Sequence, residues 1–268
     1  MKILILGSNS YFARNFSYYL KSLNSDWYII GIDVLDNQNE YVNEFYKIDL
    51  AKPFDYNKFS NYLTVNFASL SHVDLSFEHP KMIYDNNINL ALNISQITSD
   101  KRLIHISTDE VDDVSNPYSI SKYTQELILN TSNKSNCFSL SGWAIIRFNN
   151  LYSNYTESTY PTQPTIWNVL RTAKTDKTIN IVKDYDKITR NFLPVQIACE
   201  KLYKFIFSNK TFETIYNGYE ISIKDFIKEY ENKYQIQFDL NIVPNRKNTD
   251  YSYAKIDPID YNTFIKYL

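Results

Sequence analysis

Five short apolar runs alternate with longer stretches of helical spacing, and this rhythm constrains the fold more than any other feature of the chain. The runs are Lys2–Leu6, Trp27–Ile32, Leu63–Phe67, Leu103–Ser107 and Trp143–Phe148. The helical stretches are Tyr11–Leu23, Pro80–Thr98 and Tyr118–Asn130, and Pro80 suits a first helical turn, where a missing N–H costs nothing. Strands that are apolar throughout are buried on both faces, and strand–helix–strand order makes them parallel. The expected fold is α/β, a doubly wound parallel sheet over residues 1–150. Beyond Phe148 the rhythm loosens. Tyr152–Pro164 reads as an irregular loop, followed by a helix at Thr165–Lys174, a strand near Ile179–Val182 and helices at Val195–Ser208 and Ile223–Tyr234. Residues 151–268 are expected to form a small C-terminal α/β lobe, with a segment near 190–210 returning to the sheet domain.

Composition narrows the function. With 28 basic and 30 acidic residues the net charge is −2, which argues against a nucleic-acid binder. No run reaches the roughly 18 apolar residues of a membrane span, and MKILIL is too short for a secretory signal. Cys137 and Cys199 give neither a disulfide framework nor a cysteine zinc site. His72, His79 and His105 lack zinc-ligand spacing; His105, inside an apolar strand, reads as a core histidine. The expectation is a cytoplasmic protein with no metal, no nucleic-acid partner and no membrane contact. Two counts set how motifs are weighed. Only four glycines survive, so each implies a backbone need, whereas 24 tyrosines make any tyrosine motif cheap.

The first strand runs into Gly7-Ser-Asn-Ser10-Tyr11-Phe12-Ala13 and then a helix. Small residues three apart at a strand-to-helix turn let backbone N–H groups approach a pyrophosphate at the helix N-terminus. Ser10 and Ala13 stand where a glycine fingerprint would place its later glycines. Asp33 ends the second strand, where a carboxylate accepts from the adenosine ribose hydroxyls and repels a 2′-phosphate. NAD(H) is therefore favoured, with NADP(H) as the alternative. Asp49 and Leu50 are placed by position beside the adenine. A dinucleotide domain of the Rossmann type over residues 1–150 follows, with residues 151–268 mainly a substrate lobe.

The chemistry centres on Tyr118-Ser-Ile-Ser-Lys122. About two Tyr-x-x-x-Lys matches are expected by chance in this composition, and two occur, the other at Tyr251–Lys255. Context separates them. Tyr118 and Lys122 share one helical face, and the preceding strand ends in His105-Ile-Ser-Thr108-Asp109-Glu110, at the carboxyl edge where α/β sheets bind ligands. A Lys122 ammonium is expected to lower the Tyr118 phenol. The phenol then exchanges a proton with a substrate oxygen while hydride moves, and Thr108 holds the same oxygen.

With these motifs in order, the chain resembles the extended short-chain dehydrogenase/reductase family, in its nucleotide-sugar epimerase/dehydratase/ketoreductase branch. The similarity spans most of the chain. It rests on Gly7–Ala13, Asp33, Phe67-Ala68-Ser69-Leu-Ser71-His72-Val-Asp74, Ser107–Val111, Tyr118–Lys122, Arg147-Phe-Asn-Asn150-Leu-Tyr152 and Arg190-Asn-Phe-Leu. The resemblance implies that Phe67, Ala68 and Ser69 line the cofactor with Asn87 nearby. It places Ser71, His72, Asn150 and Arg190 toward a nucleotide-diphosphate sugar. It also implies a homodimer paired through Pro80–Thr98 and Tyr118–Asn130. Three departures stand out: two phosphate-loop glycines are missing, Asp112-Asp113 replaces the usual Tyr-Gly, and the link from Glu110 to Tyr118 is short.

Two reactions compete. In a nucleotide-sugar 4,6-dehydratase the resemblance makes Asp109 the acid that helps water leave C6 and Glu110 the base at C5. A 4-ketoreductase of deoxysugar or surface-polysaccharide biosynthesis needs only hydride and the Tyr118 proton. The short link favours the reductase and the acidic pair the dehydratase. The reductase is the first expectation, with the dehydratase or a 4-epimerase as the alternative. A non-catalytic dinucleotide sensor is more remote, because Tyr118 and Lys122 are both present.

Overall fold

The chain folds around strands that are mostly apolar and buried. In β1 (Lys2–Leu6), Ile3, Leu4, Ile5 and Leu6 are all fully buried. A strand covered on both faces needs helices above and below it, and the connections supply them. The computed structural model describes residues 1–37, 39–97, 101–132, 143–153, 166–244 and 258–268. Five expectations fall wholly or partly outside these residues: Thr98 as a helix end, Thr165 as a helix start, most of the Tyr152–Pro164 loop, Cys137 and the second Tyr-x-x-x-Lys copy at Tyr251–Lys255.

The elements run α1 (Tyr11–Leu23), β2 (Tyr28–Asp33), β3 (Glu44–Lys47), β4 (Leu63–Asn66), α2 (Val73–Glu78), α3 (Pro80–Ile94) and β5 (Leu103–Thr108). A single 3-10 turn, Asp109–Asp112, then leads to α4 (Pro117–Ser132), β6 (Trp143–Phe148), β7 (Asn150–Tyr152), α5 (Ile166–Thr172), β8 (Thr178–Val182) and β9 (Thr189–Pro194). The last elements are α6 (Val195–Ile206), β10 (Phe212–Ile215), β11 (Tyr219–Ser222), α7 (Ile223–Tyr234), β12 (Asp239–Val243) and α8 (Tyr261–Tyr267).

Two compact units result. The first contains residues 1–148 and 199–214, the second residues 149–198 and 215–268. The first unit is built on a seven-stranded sheet in the order β10-β6-β5-β4-β1-β2-β3. Strands β3, β2, β1, β4, β5 and β6 pair in parallel along it. The order reverses beside β1, so the ends of β1 and β4 diverge around a crevice, the place where such sheets hold ligands. The doubly wound sheet expected from the sequence is present. β3 and β10 lie at its two edges, where burial is lower and the apolar signal fades: no residue of β3 is fully buried.

The second unit holds a three-stranded sheet, β11-β9-β7, and a two-stranded one, β12-β8. Its core gathers Tyr152, Trp167, Phe192, Phe226, Tyr230 and Phe264. The Tyr152 hydroxyl donates to the Phe264 carbonyl at 2.8 Å, which satisfies a phenol buried in that cluster.

Candidate active site

The turn after β1 is shaped by two close approaches. Gly7 has φ +73°, and a Cβ there would sit 2.6 Å from the Ala68 backbone nitrogen. No larger residue satisfies both conditions. A Cβ at Gly31, in β2, would meet the Ser8 hydroxyl at 2.8 Å. Gly7 and Ser8 donate their N–H groups to the Ile32 carbonyl, and Ser10 caps α1 by accepting from Ala13 N at 3.4 Å. The two absent glycines expected to loosen this loop are offset by side-chain braces. Asn39 donates to the Ser8 carbonyl at 2.8 Å and to Ser17 Oγ at 3.0 Å.

Asp33 lies at the carboxyl end of β2, nearly buried. One of its oxygens accepts from Asn9 N at 2.9 Å and the other from Leu35 N at 3.1 Å, so it fixes the loop as well as presenting a carboxylate. The Tyr11 and Phe12 side chains are buried. Phe12 packs edge-on against Phe67 and Phe148 at 5.2 and 5.0 Å, so its ring and that of Phe67 build the wall behind the loop. Asp49 accepts from Ala51 N and pairs with Lys52 at 3.3 Å. Leu50 departs from expectation: its side chain packs among Phe59, Leu90 and Ile94 and faces the core, not a ligand.

The loop after β4 is held from α3. Leu70 N donates to Asn87 Oδ1 at 2.8 Å, and Asn87 Nδ2 returns bonds to Leu70 O at 3.1 Å and Ser121 Oγ at 2.9 Å. Asn87 was expected beside the cofactor; its buried amide is instead engaged with protein and acts on Phe67–Ser71 by positioning it. Ser69 Oγ faces the Leu70 carbonyl at 3.5 Å. Ser71 and His72 follow, both half-buried, with the His72 carbonyl accepting from Ser76 N at the start of α2.

At the end of β5, Thr108 Oγ1 accepts from Glu110 N at 3.3 Å and lies 3.4 Å from Asp109 Oδ1. Asp109 is buried and its Oδ2 has no hydrogen-bond partner. Burial first, then the charge of Glu110, pushes its carboxyl well above the usual range. Burial first, then the charge of Glu110, also pushes the Tyr118 phenol upward.

The sequence-based expectation for this phenol is therefore corrected. Lys122 is not among the influences on Tyr118. Its Nζ turns to β5, donating to the Ile106 carbonyl at 3.0 Å and meeting His105 Nε2 at 3.3 Å. Burial lowers the Lys122 amine to about 7 against an upward pull from Glu126. A mostly buried amine near its titration point is a weak source of positive charge for the phenol.

Two supporting residues, Asn116 and Glu126, escaped the sequence reading. Asn116 caps α4, accepting from Ser119 N at 2.8 Å, and its Nδ2 donates to Glu110 Oε2 at 3.4 Å. An asparagine before proline is a helix-start signal and was available in the sequence. Glu126 receives a bidentate pair from Arg147 at 2.8 and 2.6 Å, and the same guanidinium holds Asp112 at 2.6 Å. That pair joins α4, β6 and the acidic turn across long sequence separations, which no local pattern reveals.

Asn150 and Arg190 belong to the second unit. Asn150 is half-buried in β7 opposite Phe192 of β9, and Arg190 lies in β9 with Nη1 donating to the Thr189 carbonyl at 2.8 Å.

The residues present fit a dinucleotide: a tight glycine turn after β1, a capped helix N-terminus and a carboxylate at the end of β2. Comparison with known proteins agrees. The family model "NAD dependent epimerase/dehydratase family" matches residues 3–196. Among solved structures, dTDP-glucose 4,6-dehydratase from Streptomyces venezuelae, with NAD bound, matches at TM-score 0.81 and 17% identity over 100% of this chain and 95% of that one. UDP-N-acetylglucosamine 4-epimerase from Methanobrevibacter ruminantium matches at TM-score 0.79 and 17% identity, over 99% and 95%. UDP-glucuronic acid 4-epimerase from Bacillus cereus, with its substrate and NAD, matches at TM-score 0.75 and 20% identity, over 91% and 86%. No curated protein sequence matches the chain. The matched model covers most of the sequence, and the chain belongs to the NAD-dependent epimerase/dehydratase family.

Proposed function

We propose that this enzyme is a nucleotide-diphosphate-hexose 4,6-dehydratase that retains its NAD. The observation carrying this reading is the buried Asp109 carboxyl beside Glu110, with Oδ2 unpartnered, Oδ1 3.4 Å from Thr108 Oγ1, and its proton favoured by burial and by the charge of Glu110. A hydroxide leaves C6 of a sugar only with a proton supplied to it, and an acid held neutral at pH 7 is the group that does this. Glu110 then takes the C5 proton, and water is lost across C5–C6. Tyr118 exchanges the O4 proton, with Thr108 steadying the same oxygen. Bound NAD would accept the C4 hydride and return it at C6.

The cofactor reading assigns the pyrophosphate to the Gly7–Phe12 turn at the N-terminus of α1 and the ribose to Asp33. Asp33 favours NAD(H) over NADP(H), since a 2′-phosphate would meet a carboxylate. Main-chain groups of Phe67, Ala68 and Ser69 line the opposite side. Ser71, His72, Asn150 and Arg190 are assigned to the sugar and its diphosphate. A homodimer through α3 and α4 accounts for their exposed Met82, Leu92, Ile120, Tyr123 and Leu127.

A 4-ketoreductase is the second reading. Its supporting observation is Tyr118, whose raised phenol is a ready proton donor to a reduced carbonyl. The dehydratase instead uses Tyr118 in its first step, to take the O4 proton as C4 is oxidised, whereas the reductase has no task for an acid at Asp109. Native mass spectrometry of the purified chain separates the two. One retained NAD per chain, with turnover of a nucleotide-linked glucose in the absence of added nicotinamide, supports the dehydratase. A chain free of dinucleotide that oxidises added NADH or NADPH against a nucleotide-linked 4-keto-6-deoxy sugar supports the reductase.

A further inference from the structure

Behind the Tyr118–Lys122 pair lies a buried polar chain that crosses the sheet. Asn66 in β4, His105 in β5 and Lys122 in α4 are 0%, 0% and 3% exposed. Asn66 Oδ1 accepts from Ala68 N at 3.0 Å, and a backbone N–H can only donate, so the orientation of the Asn66 amide is fixed. Its Nδ2 then faces His105 Nδ1 at 2.9 Å and must donate to it. A neutral imidazole that accepts at Nδ1 carries its own hydrogen on Nε2. That N–H points at Lys122 Nζ, 3.3 Å away, a contact that is favourable only when the amine presents a lone pair.

We propose that His105 is a positioning residue of the active site: locked by Asn66 as the Nε2–H tautomer, it offers Lys122 a donor in place of an acceptor and thereby favours the neutral amine at Lys122. This rests on reading Tyr118 and Lys122 as the proton-handling pair.

The surroundings of Lys122 agree with the assignment. From β5 come His105 and the Ile106 carbonyl, which accepts at 3.0 Å. From α4 come Tyr118 and Glu126, one turn to either side. The Glu126 carboxylate, the one charge that favours the ammonium, is drawn away by its bidentate pair with Arg147 of β6. Asp109 and Glu110, on the turn, bear on Tyr118. Burial drives the amine toward its neutral form and the imidazole well below its usual range, so neither partner carries a full charge at pH 8.

Lysine-selective 13C NMR of the purified full chain tests this without substrate, with the Lys122 signal identified by its loss in Lys122→Met. The expected midpoint is near 7 for Lys122, with imidazole 15N shifts showing His105 neutral and protonated at Nε2. A Lys122 midpoint in the ordinary lysine range, or a His105 proton on Nδ1, overturns the proposal. Asn66→Asp provides the second arm. Its carboxylate still accepts from Ala68 N but now accepts from Nδ1–H, so Nε2 becomes an acceptor. The Lys122 midpoint is then expected to rise by at least about one pH unit, and an unmoved midpoint contradicts the proposal. These titrations are independent of which sugar the enzyme converts, so a failed dehydration assay leaves them standing, and they can fail while dehydration succeeds.

Discussion

The Asp109 carboxyl and the Lys122 amine are each pushed toward the neutral form, and burial is the leading cause for both. For Asp109 the consequence is catalytic. Asp109→Asn keeps the shape and removes the donated proton, so water elimination is expected to fall on the order of 100- to 10,000-fold. Oxidation at C4 survives, so NADH accumulates on the enzyme and is visible by its absorbance; a variant that dehydrates at the normal rate contradicts the assigned role. For Lys122 the consequence is also thermodynamic. Its folded value, about 7, lies below that of an unfolded lysine near 10.4. Between these limits the unfolded chain binds more protons, so this group's penalty is full below pH 7 and disappears as pH rises toward 10. Lys122→Met is accordingly expected to be more stable than wild type in denaturant titrations at pH 6, with the difference shrinking by pH 9. A difference independent of pH would place the Lys122 amine outside the buried, neutral-prone setting described above.

Elements meet at the site through amides. Asn39 braces the phosphate loop, Asn87 ties the loop after β4 to α3 and α4, and Asn116 joins the cap of α4 to Glu110. Asn87→Ala leaves the Leu70 N–H and carbonyl without their partners and is expected to cost about 1–3 kcal/mol of stability. Because the loop it positions is assigned to the cofactor, weaker NAD retention should accompany the loss, and calorimetry of NAD binding reads it. Unchanged affinity would show that the loop holds its shape without Asn87. The same scale explains what was legible in the sequence. β1, β6, α1 and α7 were bounded correctly because burial on both faces, or on one helical stripe, writes a strong periodic signal. β3 and β10 were not found, since edge strands bury less and carry mixed residues. Leu50 was placed beside adenine by its position after a strand, but its side chain points into the core. The pull of Lys122 on Tyr118 was inferred from helical spacing alone. Spacing gives a shared face but not the direction in which a long side chain turns, and here it turns to β5.

For the whole molecule, the motif order Gly7, Asp33, Thr108, Tyr118 and Lys122 was enough to indicate a doubly wound sheet and its family, because each residue falls at a strand end or helix start that the fold itself requires. Among the described residues no helix is long and apolar enough to cross a membrane. The apolar side chains left exposed on α3 and α4 call for a partner surface, and a second copy of this chain supplies an identical one. Sedimentation is expected to give a dimer, and Leu92→Asp with Leu127→Asp a folded monomer; a monomeric wild type would contradict the assignment of that face. The central claim is that a buried, protonated Asp109 makes this enzyme an eliminating one. Incubation of the purified chain with nucleotide-diphosphate glucoses in D2O, with no nicotinamide added, tests it directly by product mass spectrometry. The account predicts a 4-keto-6-deoxy product that has lost one water and gained one solvent deuteron at C5. Recovery of unaltered sugars, from a chain that oxidises NADH or NADPH only against a 4-keto-6-deoxy substrate, would contradict it.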